Sequence, residues 1–243
     1  MSAGARERAA DALRKAQDRL RGNVPGVLSL YGRAPLAVRA HVWTRWATCP
    51  FPRVEAAVPR QGRILEVGCG YGVFSCHLAL SSSERQVLGV DVDLGKIVHA
   101  QFAAKRAEAR GATCEFHLAP PGEVPAGPWD AIVIVDVLYL LDRDEQEGLL
   151  RSCAEQLSLR GVLVVKEMAT SPPWKARWNA LQETMSVKVL NITAGDELTF
   201  LEPSVLGDWM REAGLVVTHQ PLDHGYPHPH HLVVGARRRS GSL

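Results

Sequence analysis

Through the middle of the chain, short apolar runs alternate with stretches whose apolar residues recur at helical spacing. Ile64–Val67, Gln86–Val90, Cys114–Leu118, Ala131–Val135 and Gly161–Met168 read as strands. Val73–Leu80, Leu94–Arg110 and the stretch from about Asp142 to Leu157 read as helices between them, with Asp93 placed to cap the second. The runs "AIVIV" and "GVLVV" are apolar at every position, as strands of a parallel sheet covered on both faces must be. Beyond Met168 the pattern changes. "SPPWKARWNALQETM" reads as a helix opened by Pro172-Pro173, and Pro203–Ala213 as another. Leu215–His219 and His231–Ala236 read as an antiparallel pair joined by "PLDHGYPHPH". Before the first strand, Ala3–Arg21 predicts an amphipathic helix with Ala10, Leu13, Gln17 and Leu20 on one weakly apolar face. Pro35–Thr48 predicts a second, with Leu36, Val38, Val42, Trp43 and Trp46 as its apolar set. The expected fold class is α/β: a doubly wound, mostly parallel seven-stranded sheet with an antiparallel last strand and an N-terminal helical cap. Residues 1–60 would form the cap and 61–243 the main domain, as one structural unit.

Composition narrows this picture. A chain of 243 residues with 46% hydrophobic and 22% charged content suits one globular domain. The net charge of +2 is unevenly spread, because basic residues clearly outnumber acidic ones before Arg63. That front admits an acidic carrier protein or an anionic lipid surface as partner, while a solvated helix face is the simpler explanation. Five cysteines without a CxxC pair read as free thiols in a reducing compartment, so the expected location is cytoplasmic. No apolar run approaches the ~18 residues of a membrane span, so no transmembrane segment is expected.

The chemistry begins at "RILEVGCGYGVFS", where a strand ends in a turn carrying Gly68, Gly70 and Gly72. Such a turn lies at the carboxyl end of the sheet, where a doubly wound fold binds its ligand. The dinucleotide fingerprint G-x-G-x-x-G would need its third glycine at position 73, which is Val73. Glu66, two places before the first glycine, would repel a pyrophosphate but could hold an ammonium. Asp91, at the end of "VLGVD", can accept hydrogen bonds from both hydroxyls of a ribose, and Val92 offers adenine an apolar surface. A ribose, an adenine and a cationic amino-acid end without phosphate describe S-adenosylmethionine.

"LEVGCGYG" followed by "GVDVD" resembles the first two motifs of the class I S-adenosylmethionine-dependent methyltransferases. "WDAIVIVDVLYLL" and "LSLRGVLVVKEM" are similar to that family's fourth- and fifth-strand segments. The resemblance covers roughly residues 60–168. It implies that Glu66, Gly68, Cys69 and Gly70 meet the methionine end, Asp91 the ribose and Val92 the adenine, with Asp136 bordering both cofactor and substrate. One departure stands out. Many members have an aspartate after the third strand for the adenine amino group, whereas "HLAPPGE" has Ala119 and Pro120 there, which leaves backbone or Glu123 for that contact.

Methyl transfer needs an aligned nucleophile and exclusion of water, and a general base only if the nucleophile starts protonated. The catalytic candidates are Asp136, Tyr139 and Glu167. A metal-dependent catechol-type enzyme would add an acid–amide pair that "KEMA" lacks, and His-x-His-His in "DHGYPHPHH" is no zinc pattern, so no metal is expected. The histidine-rich connection is expected on the side of the sheet away from the cofactor. Tyr31, Trp43, Trp46, Tyr139 and Trp174 are candidates for walling the substrate pocket, alongside His41 and a cationic Arg39 or Arg45. "DVLYLL" lacks the prolines of base amino-methyltransferases, which argues against methylation of a base amino group. A nucleic-acid partner is not the expectation. The expected activity is methylation of a small, partly apolar metabolite at oxygen. The alternatives are an RNA or protein methyltransferase and a catalytically silent cofactor-binding subunit.

Overall fold

The computed structural model describes residues 26–168, 199–222 and 230–237. The expected helices over 3–21 and 171–185, Trp174, and the histidines at 224 and 228 lie outside them. After a short 3-10 turn, Ser29–Tyr31, come helices α1 (Leu36–Thr48) and α2 (Phe51–Glu55). The sheet then alternates β1 (Gly62–Val67), α3 (Val73–Ser81), β2 (Arg85–Asp91), α4 (Leu94–Glu108) and β3 (Thr113–Leu118). Strand β4 (Trp129–Val135), a 3-10 turn Leu138–Leu140, α5 (Arg143–Glu155) and β5 (Leu157–Met168) follow. Helix α6 (Pro203–Glu212) and strands β6 (Leu215–Pro221) and β7 (His230–Arg237) complete the described chain.

The seven strands lie in the order β3-β2-β1-β4-β5-β7-β6. Strands β1 to β5 pair in parallel, and β7 is antiparallel to both β5 and β6. This is the expected α/β architecture, and strand order reverses between β1 and β4.

Both faces of the central strands are buried, while the edge strands β3 and β6 are largely exposed. Along β4, Ala131, Val133 and Val135 join the apolar cluster that includes the helices before β1 together with α3 and α4. Ile132 and Ile134 join the opposite cluster with residues of α5 and α6. The same alternation places Glu66 on the face of Ile64, and Lys166 on the face of Val164. Both polar side chains are therefore drawn beneath the N-terminal helices, where a buried charge must find a partner. Helix boundaries follow local chemistry. Asp93 caps α4 by accepting from the Lys96 amide at 3.1 Å. Asp142 and Glu145 form a reciprocal capping box at the start of α5.

Strand β5 begins earlier than its apolar pattern predicts, because Leu157 pairs with Trp129 before the register shifts and Val162 takes up Ala131. A larger correction concerns the end of the chain. Because β7 is inserted between β5 and β6, β6 runs in the direction of β5, and His230 pairs with Met168. Leu222 and His230, the residues on either side of the histidine-rich connection, thus lie at the carboxyl edge of the sheet, on the side of the glycine turn. The expectation that this connection lies away from the cofactor is overturned by that strand order.

Candidate functional site

The glycine turn leaves β1 at the point where strand order reverses. The amides of Gly68 and Cys69 both donate to the Val90 carbonyl, at 2.8 and 2.9 Å, which ties the turn to the end of β2. Two glycines do different work here. Gly72 has φ 74°, and a side chain there would overlap the ring of Phe116 beneath it. Gly70 has φ 55° and open space where a side chain would point. The first glycine serves packing and the second keeps the crevice clear.

Asp91 organises the same corner. One carboxylate oxygen accepts from the Gly70 amide at 2.7 Å and the other from the Asp93 amide at 2.9 Å. A carboxylate has about four acceptor positions, so both oxygens retain capacity for a pair of hydroxyls. Val92 and Leu118 stand exposed on adjoining strand ends, since Leu118 is in register with Asp91. They offer apolar surface beside that carboxylate. The Ala119 amide donates to the Asp91 carbonyl at 3.1 Å, and Glu123 lies exposed in the turn that follows.

Glu66 is buried and accepts the Ser75 hydroxyl from the first turn of α3. Burial pushes its carboxyl up to about 7. A cation seated beside it would reverse that shift by favouring the ionised form. Cys69 is buried within the turn, and burial raises its thiol.

Across the crevice, Asp136 follows β4 in the left-handed region, at φ 57°. Its two oxygens meet two cations, Lys166 Nζ at 2.5 Å and Arg45 Nη1 at 2.7 Å. The Lys166 and Arg45 charges hold its carboxyl well below the usual carboxylate range against the opposing effect of burial. An aspartate so paired is a poor base. Glu167 accepts the amides of Val137 and Leu138 through one oxygen, at 3.1 and 3.0 Å, and burial pushes it up to about 8. It thereby holds the turn after β4 in place. Tyr139 stacks on Phe200, with ring centroids 5.2 Å apart, and accepts the Thr199 amide on its carbonyl. Burial raises its hydroxyl. The structure thus brings the three catalytic candidates together at the ends of β4 and β5.

The substrate-wall candidates separate. Tyr31 is buried, and its hydroxyl donates to the Tyr71 carbonyl at 2.7 Å, beneath the glycine turn. Trp46 packs against Phe51 and His77, at 5.7 and 5.0 Å. Both serve packing in this structure. Trp43 is 63% exposed on the side of α1 away from the buried Val38 and Val42. Its neighbours on the other side of the helix reach the crevice instead. His41 meets Tyr71 edge-on at 5.0 Å, and Arg45 reaches Asp136. Burial lowers the His41 imidazole to about 4, so it is neutral near pH 7.

Lys166 is not singled out by the sequence pattern, and His230 is read there only as part of the histidine-rich stretch. Lys166 is fully buried in an apolar strand, a placement that itself signals a partnered charge. His230 donates from Nε2 to the Thr48 carbonyl at 3.1 Å and so fastens the end of α1 to the sheet edge.

This geometry suits S-adenosylmethionine: Asp91 for the ribose, Val92 and Leu118 for the base, Glu66 and the open Gly70 for the amino-acid end. The comparisons with known proteins agree. The family described as a methyltransferase domain matches residues 39–220. A ubiquinone biosynthesis O-methyltransferase from Pseudomonas putida is 27% identical over 175 residues, covering 68% of this chain and 71% of that protein. A magnesium protoporphyrin IX methyltransferase from Synechocystis PCC 6803, solved with bound S-adenosylhomocysteine, shares the fold at a TM-score of 0.60 and 16% identity. That superposition covers 92% of this chain and 95% of the other. The S-adenosylmethionine-dependent methyltransferase SibL shares it at a TM-score of 0.63 and 22% identity, over 84% of this chain and 58% of that one. The chain belongs to the methyltransferase-domain family and is a class I S-adenosylmethionine-dependent methyltransferase.

Proposed function

We propose that the enzyme methylates a small, partly apolar molecule at an oxygen atom. The observation that carries this reading is the wall after β4. There Val137, the stacked Tyr139–Phe200 rings and the part-exposed Leu140 adjoin Asp136, beside the glycine turn. Such a wall suits a compact apolar body better than a nucleic-acid backbone. The similarity to a ubiquinone biosynthesis O-methyltransferase supports the same class of acceptor.

The cofactor supplies an electrophilic methyl group when bound. Each of the chain's own groups has a separate part. Asp91, Glu66 and the glycine turn hold and orient. Glu167 fixes the turn that carries Tyr139, and α1 covers the crevice through His41 and Arg45. Alignment and exclusion of water account for most of the rate in such a displacement. Asp136, already paired with two cations, contributes position and not proton abstraction.

The test is transfer of an isotopically labelled methyl group from S-adenosylmethionine by the full chain. It would be offered, in parallel, a panel of hydroxylated aromatic compounds, total RNA and a protein extract. Label in an ether or ester of a small molecule is the expected result. Label confined to RNA or protein would replace this reading with one of the macromolecular alternatives.

A further inference from the structure

At the end of β4 two cations, Arg45 and Lys166, share one carboxylate, Asp136. Lys166 is fully buried, so its charge is taken up by Asp136 at 2.5 Å. Arg45 differs. Its side chain is 30% exposed, and its hydrogen bond to Asp136 engages one of the five N–H groups of a guanidinium. Its hydrogen bond to Asp136 places it at the carboxyl end of β4. Of the other carboxyls at the strand ends, Asp91 is engaged by the Gly70 and Asp93 amides, and Glu66 and Glu167 do less to offset the arginine. Burial pushes Glu66 up to about 7 and Glu167 up to about 8, so near neutrality Glu66 is partly protonated and Glu167 mostly so.

The arginine is also held rigidly. Its helix is fastened at Thr48 by His230, and its guanidinium is fixed by an aspartate in a backbone conformation that non-glycine residues rarely adopt. The guanidinium also lies over the Phe51 ring, 5.7 Å from its centroid, and among the described residues its remaining donors make no hydrogen bond, so the planar fork can receive a second carboxylate.

We propose that Arg45 is a specificity residue that receives a carboxylate on the methyl acceptor, so that the preferred acceptors are small aromatic or apolar acids. The inference rests on the reading of the crevice as a small-molecule site. A cation there raises the local concentration of anionic acceptors and rejects neutral isosteres, whose amide leaves the guanidinium imperfectly satisfied. Lys166 and Asp136 act as positioning residues behind it.

Benzoate and benzamide serve as matched probes, titrated by calorimetry into the full chain saturated with S-adenosylhomocysteine. Benzoate is expected to bind at least tenfold more tightly than benzamide. Arg45→Met should erase that preference, and Arg45→Lys should retain part of it. Circular dichroism and thermal unfolding report whether the variants are folded. Equal binding of the two probes, or failure of both to bind, overturns the proposal. So does an Arg45→Met variant that keeps the benzoate preference but loses tenfold or more in S-adenosylhomocysteine affinity, because the guanidinium would then serve the cofactor's own carboxylate. Labelled-methyl transfer reads the acceptor class separately: a small molecule labelled without preference for acids sinks this inference alone, whereas label confined to RNA or protein sinks the underlying reading.

Discussion

Single residues at this site are tuned by what surrounds them. Glu66 is pushed up to about 7 because it is buried, yet an ammonium beside it requires the carboxylate. Binding of the cofactor's amino-acid end should therefore expel a proton whenever the free protein holds one, that is, below about pH 7. Affinity should rise from pH 6 toward neutrality by less than about tenfold and fall again as the ligand's own ammonium loses its proton near pH 8. Glu66→Gln should bind more weakly and lose that rise. Calorimetry in two buffers of different ionisation enthalpy reads the proton directly, and a flat profile in the native protein would remove Glu66 from that role. Asp136 makes the opposite case, a carboxylate fixed in its charged form by Lys166 and Arg45. Asp136→Ala leaves Lys166 buried without its partner and should cost about 3–5 kcal/mol of stability in urea unfolding. Adding Lys166→Met should recover much of that loss. If the double variant were no more stable than the single one, the pair would not be coupled as described.

At the level of elements, the glycine turn separates packing from ligand contact. Gly72→Ala must adopt a strained φ and displace Phe116, so a loss of about 2–4 kcal/mol is expected. Gly70→Ala meets open space and should cost about 1 kcal/mol, the penalty of the left-handed backbone alone. It should nevertheless weaken cofactor binding tenfold or more. Paired unfolding and binding measurements distinguish the two, and equal effects on both quantities would contradict the division. The elements themselves were legible because parallel strands covered on both faces must be continuously apolar, as Ala131–Val135 is. The turn was legible because its glycines and Asp91 are close in sequence. Less could be read where partners are distant. Nothing local announces that Arg45 will meet Asp136, 91 residues later, or that His230 will reach Thr48 across 182. The edge on which the last connection lies followed from insertion of β7 beside β5, a long-range pairing that no strand pattern encodes.

Considered whole, the molecule is a two-faced sheet whose carboxyl edge is overlaid by a helix from the front of the chain and bordered by the end of the chain. Arg45 and His230 bring those two parts to the same few strand ends. Among the described residues, no helix is long and apolar enough to cross a membrane. The exposed apolar side chains include Val92, Leu94 and Leu118 near the cofactor corner and Leu140 beyond β4. That distribution fits a catalytic edge that receives a cofactor on the β2 side and an acceptor on the β4 side of one crevice. Asp91 is the residue on which the cofactor half of this account depends, since it joins the glycine turn to the end of β2 and is the proposed ribose contact. The most direct measurement is therefore a calorimetric titration of S-adenosylmethionine into the native full chain and into Asp91→Ala. The account predicts saturable binding with one site in the native protein and a loss of at least tenfold in the variant. Native protein that fails to bind at millimolar ligand, or a variant with unchanged affinity, would contradict it.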